Sequence, residues 1–363
     1  MRGNEWTGHT PVRIVFGPGC LKNLPELVRG RRALVVTTPG AGRRGLTDRV
    51  LELLRPGRSL LCERVKPNPS PAEIEDLARE CAASAVDIEV IVGIGGGSAL
   101  DTAKALSARL SRPIIAVPTT AGSGSEVTPF VALWDRAEGR KLSLHSSELL
   151  PEAALLDPEL TLTLGWEQTL SSGLDALSHA LESVWNRRAN PRTLRFAFRS
   201  AELVLSSLKA LRADPGSLPR RAMMMEASLL SGLAISQTQT ALAHSISYPL
   251  TARRGVPHGL ACSFSLPAVL LFNEPADDGR LRRLADALEY PSVRALADAL
   301  AGLLRELEVG PRLLEHLGTR AELLALVPGM LSPERAGNSL READQACIEE
   351  IVGQASELLH FPA

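Results

Sequence analysis

Asp175 and His179 stand four residues apart inside the apolar-periodic run GLDALSHALE. On a helix that spacing puts both side chains on one face, one turn apart. His244 follows in AHSISYPLTARRGVPHGLACS, and His258 comes after a loop marked by Gly255 and Pro257. Three of the seven histidines and one carboxylate can therefore converge from two helices and a loop. Imidazole nitrogens with one carboxylate form a ligand set for a divalent first-row metal such as iron or zinc. Spacing alone is equally compatible with a helix-face Asp/His pair and two unrelated histidines.

A second group of residues points to an anion. Gly95-Gly96-Gly97-Ser98 lies between a β-branched apolar run and a helical period. Glycines let a backbone approach a ligand closely, and the N–H groups at a helix start favour a pyrophosphate. Ser98 adds a hydroxyl donor, and Asp101 falls in the first helical turn. The pattern is not GxGxxG, so the usual Rossmann fingerprint is not read here. Glycine in such a turn also serves strand-to-helix packing alone. The next strand end, TTAGSGSE at 119–126, carries a second run of small polar residues. Two successive strand ends of this kind predict a phosphate-and-ribose cradle at the carboxyl edge of a sheet.

These residues need elements to hold them. Short strands are expected at 11–17 and 33–37, the first followed by a helix over 20–29. A Gly/Pro-rich turn then leads to a helix from about Leu46. The apolar run SLLCERV at 59–65 precedes the breaker KPNPSP, and 71–85 reads as an amphipathic helix. Ser70 suits its N-cap and Pro71 its first position. DIEVIVGIGGGSALDTAKALSARL reads as strand, glycine loop and helix, and PIIAVP as a further strand. Strands alternating with helices predict a mostly parallel, doubly wound α/β domain over 1–160. From Leu160 onward the texture becomes Leu/Ala-rich and helical, predicting an all-α C-terminal domain over 161–363. Pro158 and TLTLGW mark the boundary.

Composition bounds the function. The 363 residues suffice for two domains with large cores, and 45% hydrophobic with 22% charged residues is ordinary for an enzyme. A formal net charge of −1 offers no basic face for nucleic acid or an anionic membrane. Five scattered cysteines (20, 62, 81, 262 and 347) without CxxC spacing read as reduced thiols of a cytoplasmic protein. Neither a signal peptide nor a membrane-length apolar run is recognisable, so a soluble protein is expected.

The motifs GGGSALDTAK, PTTAGSGSEVTPFVALWD, GLDALSHALE and PHG-x-A-C, in this order, resemble the iron-containing (group III) alcohol dehydrogenase family. The resemblance runs over essentially the whole chain. It implies the dehydroquinate synthase-like fold: an α/β dinucleotide domain, a helical domain, and a divalent metal in the cleft between them. It implies Asp175, His179, His244 and His258 as ligands to one Fe(II) or Zn(II), with His258 counted among the catalytic residues. It further implies NADH or NADPH, with Gly95, Gly96, Gly97 and Ser98 at the pyrophosphate. Asn68, Asp101, Thr119, Thr120 and Ser123 would lie along the cofactor, and Lys141 near its ribose. A homodimer or higher oligomer acting on a small molecule is the implied assembly.

Two departures bear on the chemistry. Many members of the family carry a histidine four residues after the third ligand, where this chain has Tyr248, a candidate proton donor or a packing residue beside Pro249. NAD-selective members resemble a pattern with Asp at the end of the strand ALVVT, where this chain has Thr38 followed by PGAGRR. Losing that acid removes repulsion of a 2′-phosphate, and Arg43 and Arg44 are able either to pair it or to stand solvated. Within the family, the wording around 166–191 and 243–267 is most similar to the phosphonoacetaldehyde-reducing branch, with maleylacetate reduction and general alcohol dehydrogenation as alternatives. Arg253 and Arg254, expected in the loop before His258, are candidate binders of a substrate anion, with Ser143 and His145 as weaker ones. A dehydroquinate synthase-like lyase and a non-catalytic binding protein are the readings from other classes. A serine hydrolase is disfavoured because GxSxG is absent.

Overall fold

A computed structural model describes residues 10–54, 57, 59–84, 86–135, 138 and 140–361. It contains two compact units, Met1–Thr169 with Leu211–Leu233, and Leu170–Ala210 with Ala234–Ala363. Each unit is thus discontinuous in sequence. The segment Leu211–Leu233 packs with the first unit, where the Cα of Gly124 lies 2.8 Å from where a Gly232 Cβ would stand.

The first unit is built on strands β1 (Arg13–Phe16), β2 (Ala33–Val36), β3 (Ser59–Cys62), β4 (Val90–Gly95) and β5 (Ile114–Pro118). Strands β6 (Phe130–Asp135), β7 (Arg140–His145) and β8 (Ala153–Leu156) follow. Six strands form one parallel sheet in the order β1-β8-β5-β4-β2-β3. Its central strands are buried on both faces, as their continuous Val/Ile/Leu runs require. On β2 the alternation is direct: Val35 joins the apolar cluster with Leu21, Val92 and Val117, while Leu34 and Val36 join that with Ile91 and Ile114.

Helices α1 (Leu24–Val28), α2 (Pro39–Arg43), α3 (Leu46–Leu53), α4 (Pro71–Ala83) and α5 (Gly97–Leu110) alternate with the strands. The Gly/Pro-rich stretch expected as a turn is the short α2, because Pro39 at its first position presets the helical φ. At α4 the expected cap is a complete capping box: Ser70 Oγ accepts from Glu73 N and Glu73 Oε2 from Ser70 N. Strands β6 and β7 make a separate antiparallel ribbon that the alternating strand–helix pattern does not announce. Lys141, Ser143 and His145 lie on it.

Topology selects a ligand edge. The chain leaves β2 toward β3 at one side, but leaves β4 toward β5 at the other. The carboxyl ends of β2 and β4 therefore flank the switch point at which open α/β sheets bind ligands. Thr38 follows β2 and the glycine run closes β4.

Long helices dominate the rest: α6 (Trp166–Val184), α7 (Pro191–Ala213), α8 (Leu218–Thr238) and α9 (Leu242–Arg254). After them come α10 (His258–Ser263), α11 (Leu266–Asn273), α12 (Arg280–Ala287) and α13 (Val293–Glu306). The last are α14 (Val309–Leu317), α15 (Arg320–Leu324), α16 (Pro333–Ala336) and α17 (Gln345–Leu358). Among the described residues, no helix is long and apolar enough to cross a membrane.

Candidate active site

Helix α6 presents Asp175, His179 and Glu182 at i, i+4 and i+7, along one face of the helix. All three are buried. Helix α9 brings His244 in its first turn. No side chain at its own N-cap, Ala241, serves the N–H groups left open at a helix start. Glu182 serves them instead: Oε2 accepts from Ala241 N at 2.9 Å, and Oε1 accepts from Ala243 N at 2.6 Å and His244 N at 3.1 Å. The same Oε2 lies 2.5 Å from His244 Nδ1.

The third arm is α10, which begins at His258 after Gly255 ends α9 with φ 66°. Gly259 presses on the backbone of α6, where a Cβ would stand 1.7 Å from Ser171 O and 3.1 Å from Asp175 N. Only glycine permits that approach, and it seats His258 beside Asp175.

Around Asp175 Oδ1 the ring Nε2 atoms of His179, His244 and His258 stand at 3.5, 3.7 and 3.9 Å. These separations are long for hydrogen bonds. They approach the spacing of ligands around a shared cation, since two atoms about 2.1 Å from a tetrahedral centre are about 3.4 Å apart. Asp175 Oδ1 and His244 Nε2 are buried polar atoms without a hydrogen-bond partner. Such atoms are costly unless something satisfies them, and a divalent cation satisfies both. The residues present fit a metal.

Among the described residues, donor atoms of Asp175, His244, His258 and Cys262 all lie within 4.8 Å of one another. His179 flanks them, its ring stacked on that of His244 with centroids 4.9 Å apart. Cys262 was not anticipated, although its position four residues after His258 on a helix was legible. Its Sγ lies 3.6 Å from His258 Nε2, and burial pushes the thiol above its ordinary value. Burial also pushes the Asp175 carboxyl up, but the imidazoles of His179, His244 and His258 around it hold it well below the carboxylate range.

Tyr248 lies one turn after His244 on α9, partly buried, followed by Pro249 inside the helix. Arg253 and Arg254 are not in a loop but form the last turn of α9, where cations complement the helix dipole. Arg254 Nη2 pairs with Glu322 Oε1 at 3.3 Å, rather than with a member of the histidine cluster.

In the first unit the glycine run and the 119–125 loop lie against each other. A Cβ on Gly96 would stand 3.0 Å from Thr120 Oγ1, and one on Gly97 would stand 3.2 Å from Ser123 Cβ. Thr119 N donates to Gly95 O at 2.9 Å, and Asn68 N donates to Ser98 Oγ at 3.2 Å. Gly96, Gly97, Ser98, Thr120 and Ser123 remain partly exposed, a small polar rim around the start of α5.

Asp101 points into the protein. Its Oδ1 accepts from Ser125 Oγ at 2.7 Å and its Oδ2 from Ala132 N at 3.0 Å. Lys104, fully buried on the same helix, donates to Ser125 O at 3.0 Å, Thr128 O at 2.8 Å and Phe130 O. The pair pins the 125–132 segment to α5 and thereby fixes the loop above it. Burial lowers the Lys104 ammonium to about 8 despite Asp101 and Glu126, and it pushes the neighbouring Glu126 carboxyl up to about 7.

A third group sits after β2. A Cβ on Gly40 would stand 3.1 Å from Arg44 Nη1, 3.6 Å from Thr38 Oγ1 and 3.8 Å from Arg43 Nη2. Two guanidinium groups and a hydroxyl thus surround one point at the switch-point edge.

Residues 11–158 match the family described as iron-containing alcohol dehydrogenase, and residues 169–355 match its C-terminal region. The chain is 34% identical over 299 residues to a phosphonoacetaldehyde reductase of Streptomyces viridochromogenes, covering 73% of this chain and 75% of that protein. It is also 34% identical over 306 residues to maleylacetate reductase 2 of Cupriavidus pinatubonensis, covering 83% of each. The crystal structure of sulfoacetaldehyde reductase from Bifidobacterium kashiwanohense in complex with NAD+ superposes with a TM-score of 0.85 at 30% identity. That match covers 96% of this chain and 97% of that one.

Proposed function

The chain belongs to the iron-containing alcohol dehydrogenase family and is an oxidoreductase; we propose that it reduces a short aldehyde bearing an anionic group, phosphonoacetaldehyde first, to the primary alcohol. The similarity to a phosphonoacetaldehyde reductase over three quarters of that protein carries the reading. The maleylacetate and sulfoacetaldehyde reductases among its relatives also act on small anionic carbonyl compounds, which supports the class more broadly.

In this reading residues 1–160 hold the dinucleotide and residues 161–363 hold the metal and substrate. Asp175, His179, His244 and His258 are the ligands, with Cys262 beside them. When bound, a divalent Fe or Zn supplies Lewis acidity toward the carbonyl oxygen, and a reduced nicotinamide supplies the hydride. The chain's own residues do the rest. Gly95, Gly96, Gly97 and Ser98 hold the pyrophosphate, Thr119, Thr120 and Ser123 lie along the cofactor, and Lys141 lies near the ribose. Asp101 and Lys104 keep that cradle in place. Thr38, Arg43 and Arg44 receive a 2′-phosphate, so NADPH is accepted alongside NADH. Tyr248 Oη delivers a proton to the substrate oxygen, directly or through water. Arg253, exposed in the last turn of α9 with its guanidinium beside Gly329, is the residue assigned to the substrate anion.

The test is NAD(P)H oxidation at 340 nm by protein loaded anaerobically with Fe(II) or Zn(II). Phosphonoacetaldehyde, sulfoacetaldehyde, maleylacetate and propanal are compared by kcat/KM. Preference for the phosphonate supports the proposal. Preference for another substrate keeps the oxidoreductase and replaces its substrate, whereas no net oxidation with any of them contradicts it.

A further inference from the structure

We propose that Glu182 is a positioning residue for the metal centre: it locks His244 in the Nδ1–H tautomer and leaves Nε2 as a bare lone pair for the ion. The inference rests on the metal reading of the cluster and adds a residue that the ligand quartet does not contain.

The argument is one of donors and acceptors. Three backbone N–H groups, of Ala241, Ala243 and His244, converge on the two oxygens of Glu182. A backbone N–H only donates, and three of them converging on the two oxygens favour the ionised, acceptor-only carboxylate. The fourth contact is His244 Nδ1, 2.5 Å from Oε2. With no proton on the carboxylate, Nδ1 must be the donor. A neutral imidazole with its proton on Nδ1 has an unprotonated Nε2. That Nε2, like Asp175 Oδ1, is a buried atom without a hydrogen-bond partner, and it faces Asp175 Oδ1 at 3.7 Å.

The same carboxylate holds both the main chain and the ring of His244, so α9 cannot start at this point without aiming the imidazole at the cluster. A histidine ligand gains basicity and orientation when its other nitrogen donates to a carboxylate. Burial of Glu182 also makes sense only with partners, because an unpaired carboxylate at 0% exposure is strongly disfavoured.

Glu182→Gln is the informative variant. Its Oε1 still accepts from Ala243 and His244, so the start of α9 keeps most of its cap. Its amide nitrogen, however, presents N–H groups to Nδ1, which becomes an acceptor only by moving the ring proton to Nε2. Zn(II) affinity is measured by chelator competition, and the tautomer by 15N–1H correlation of histidine-labelled protein, with His244 resonances assigned by their loss in His244→Ala. The expectation is a 10- to 100-fold weaker Zn(II) affinity in Glu182→Gln, with unchanged far-UV circular dichroism and a proton relocated to Nε2. Wild-type affinity with Nδ1–H retained in the variant overturns the inference. Should the variant not fold, the wild-type spectrum still decides, since an Nε2–H tautomer in metal-free wild type is incompatible with it. If instead His244→Ala binds Zn(II) as tightly as wild type, the metal reading fails, while the spectrum still tests the Glu182–His244 bond.

Discussion

Gly259→Ala exposes how the metal cluster is assembled. The added methyl would lie 1.7 Å from Ser171 O and 2.7 Å from Ser171 C, both main-chain atoms of α6. Contacts below 3.0 Å essentially do not occur, and no rotamer of the obstacle relieves this one, so α10 must retreat by roughly 1.3 Å in a close-packed interior. His258 is the first residue of α10 and moves with it. Metal–ligand distances hold to about ±0.2 Å, so the retreat removes His258 as a ligand. The expected loss is about 100-fold in Zn(II) affinity, equivalent to ~2.7 kcal/mol, with a further ~1–3 kcal/mol of folding stability lost to overpacking. Chelator competition reads the first, and urea unfolding of metal-free protein reads the second. A variant with wild-type affinity and an unchanged urea midpoint would refute the argument that this helix contact sets the site.

Three further outcomes are expected. Thr38→Asp places a carboxylate beside Arg43 and Arg44 and should shift the NADH/NADPH ratio of kcat/KM toward NADH by about tenfold or more, ~1.4 kcal/mol; an unchanged ratio removes this strand end from cofactor choice. Tyr248→Phe should lower kcat by about 100-fold while leaving the KM for NAD(P)H unaltered, whereas unchanged turnover assigns the proton to solvent. Glu126 has its carboxyl raised from 4.5 to about 7, so the folded state binds a proton there that the unfolded state has released. Its stabilising contribution is full below pH 4.5 and is lost as the pH rises through 7, by up to ~3 kcal/mol. Urea midpoints at pH 5 and pH 8 should therefore lie closer together in Glu126→Gln than in wild type; an equal or wider gap contradicts the assignment.

Local spacing carried what helices alone decide. Asp175 and His179 at i, i+4 share a face wherever the helix sits, and Ser70-Pro71 with Glu73 forms its cap from within four residues. Roles set by distant partners were not legible. Glu182 stands in the quoted motif, yet its function depends on N–H groups 59 to 62 residues further along the chain. Asp101 looked like a cofactor ligand because it lies near the start of the helix after the glycine run, but Ser125 in the loop after β5 and Ala132 on β6 donate to its oxygens. Lys104 was hidden for the same reason, and a lysine in a helical period reads as surface until its partners are known. Likewise the place of Arg254 turns on Glu322, a contact across 68 positions of sequence that only the packed helices create.

The most direct test of the central claim is deuterium transfer from [4,4-2H2]NAD(P)H, comparing chelator-stripped protein with protein reloaded with Fe(II) or Zn(II). Mass spectrometry of the product formed from phosphonoacetaldehyde reads the outcome. The account predicts one deuterium on the carbinol carbon of 2-hydroxyethylphosphonate, formed only by the reloaded protein. A product without deuterium, or equal transfer by the stripped protein, would contradict it.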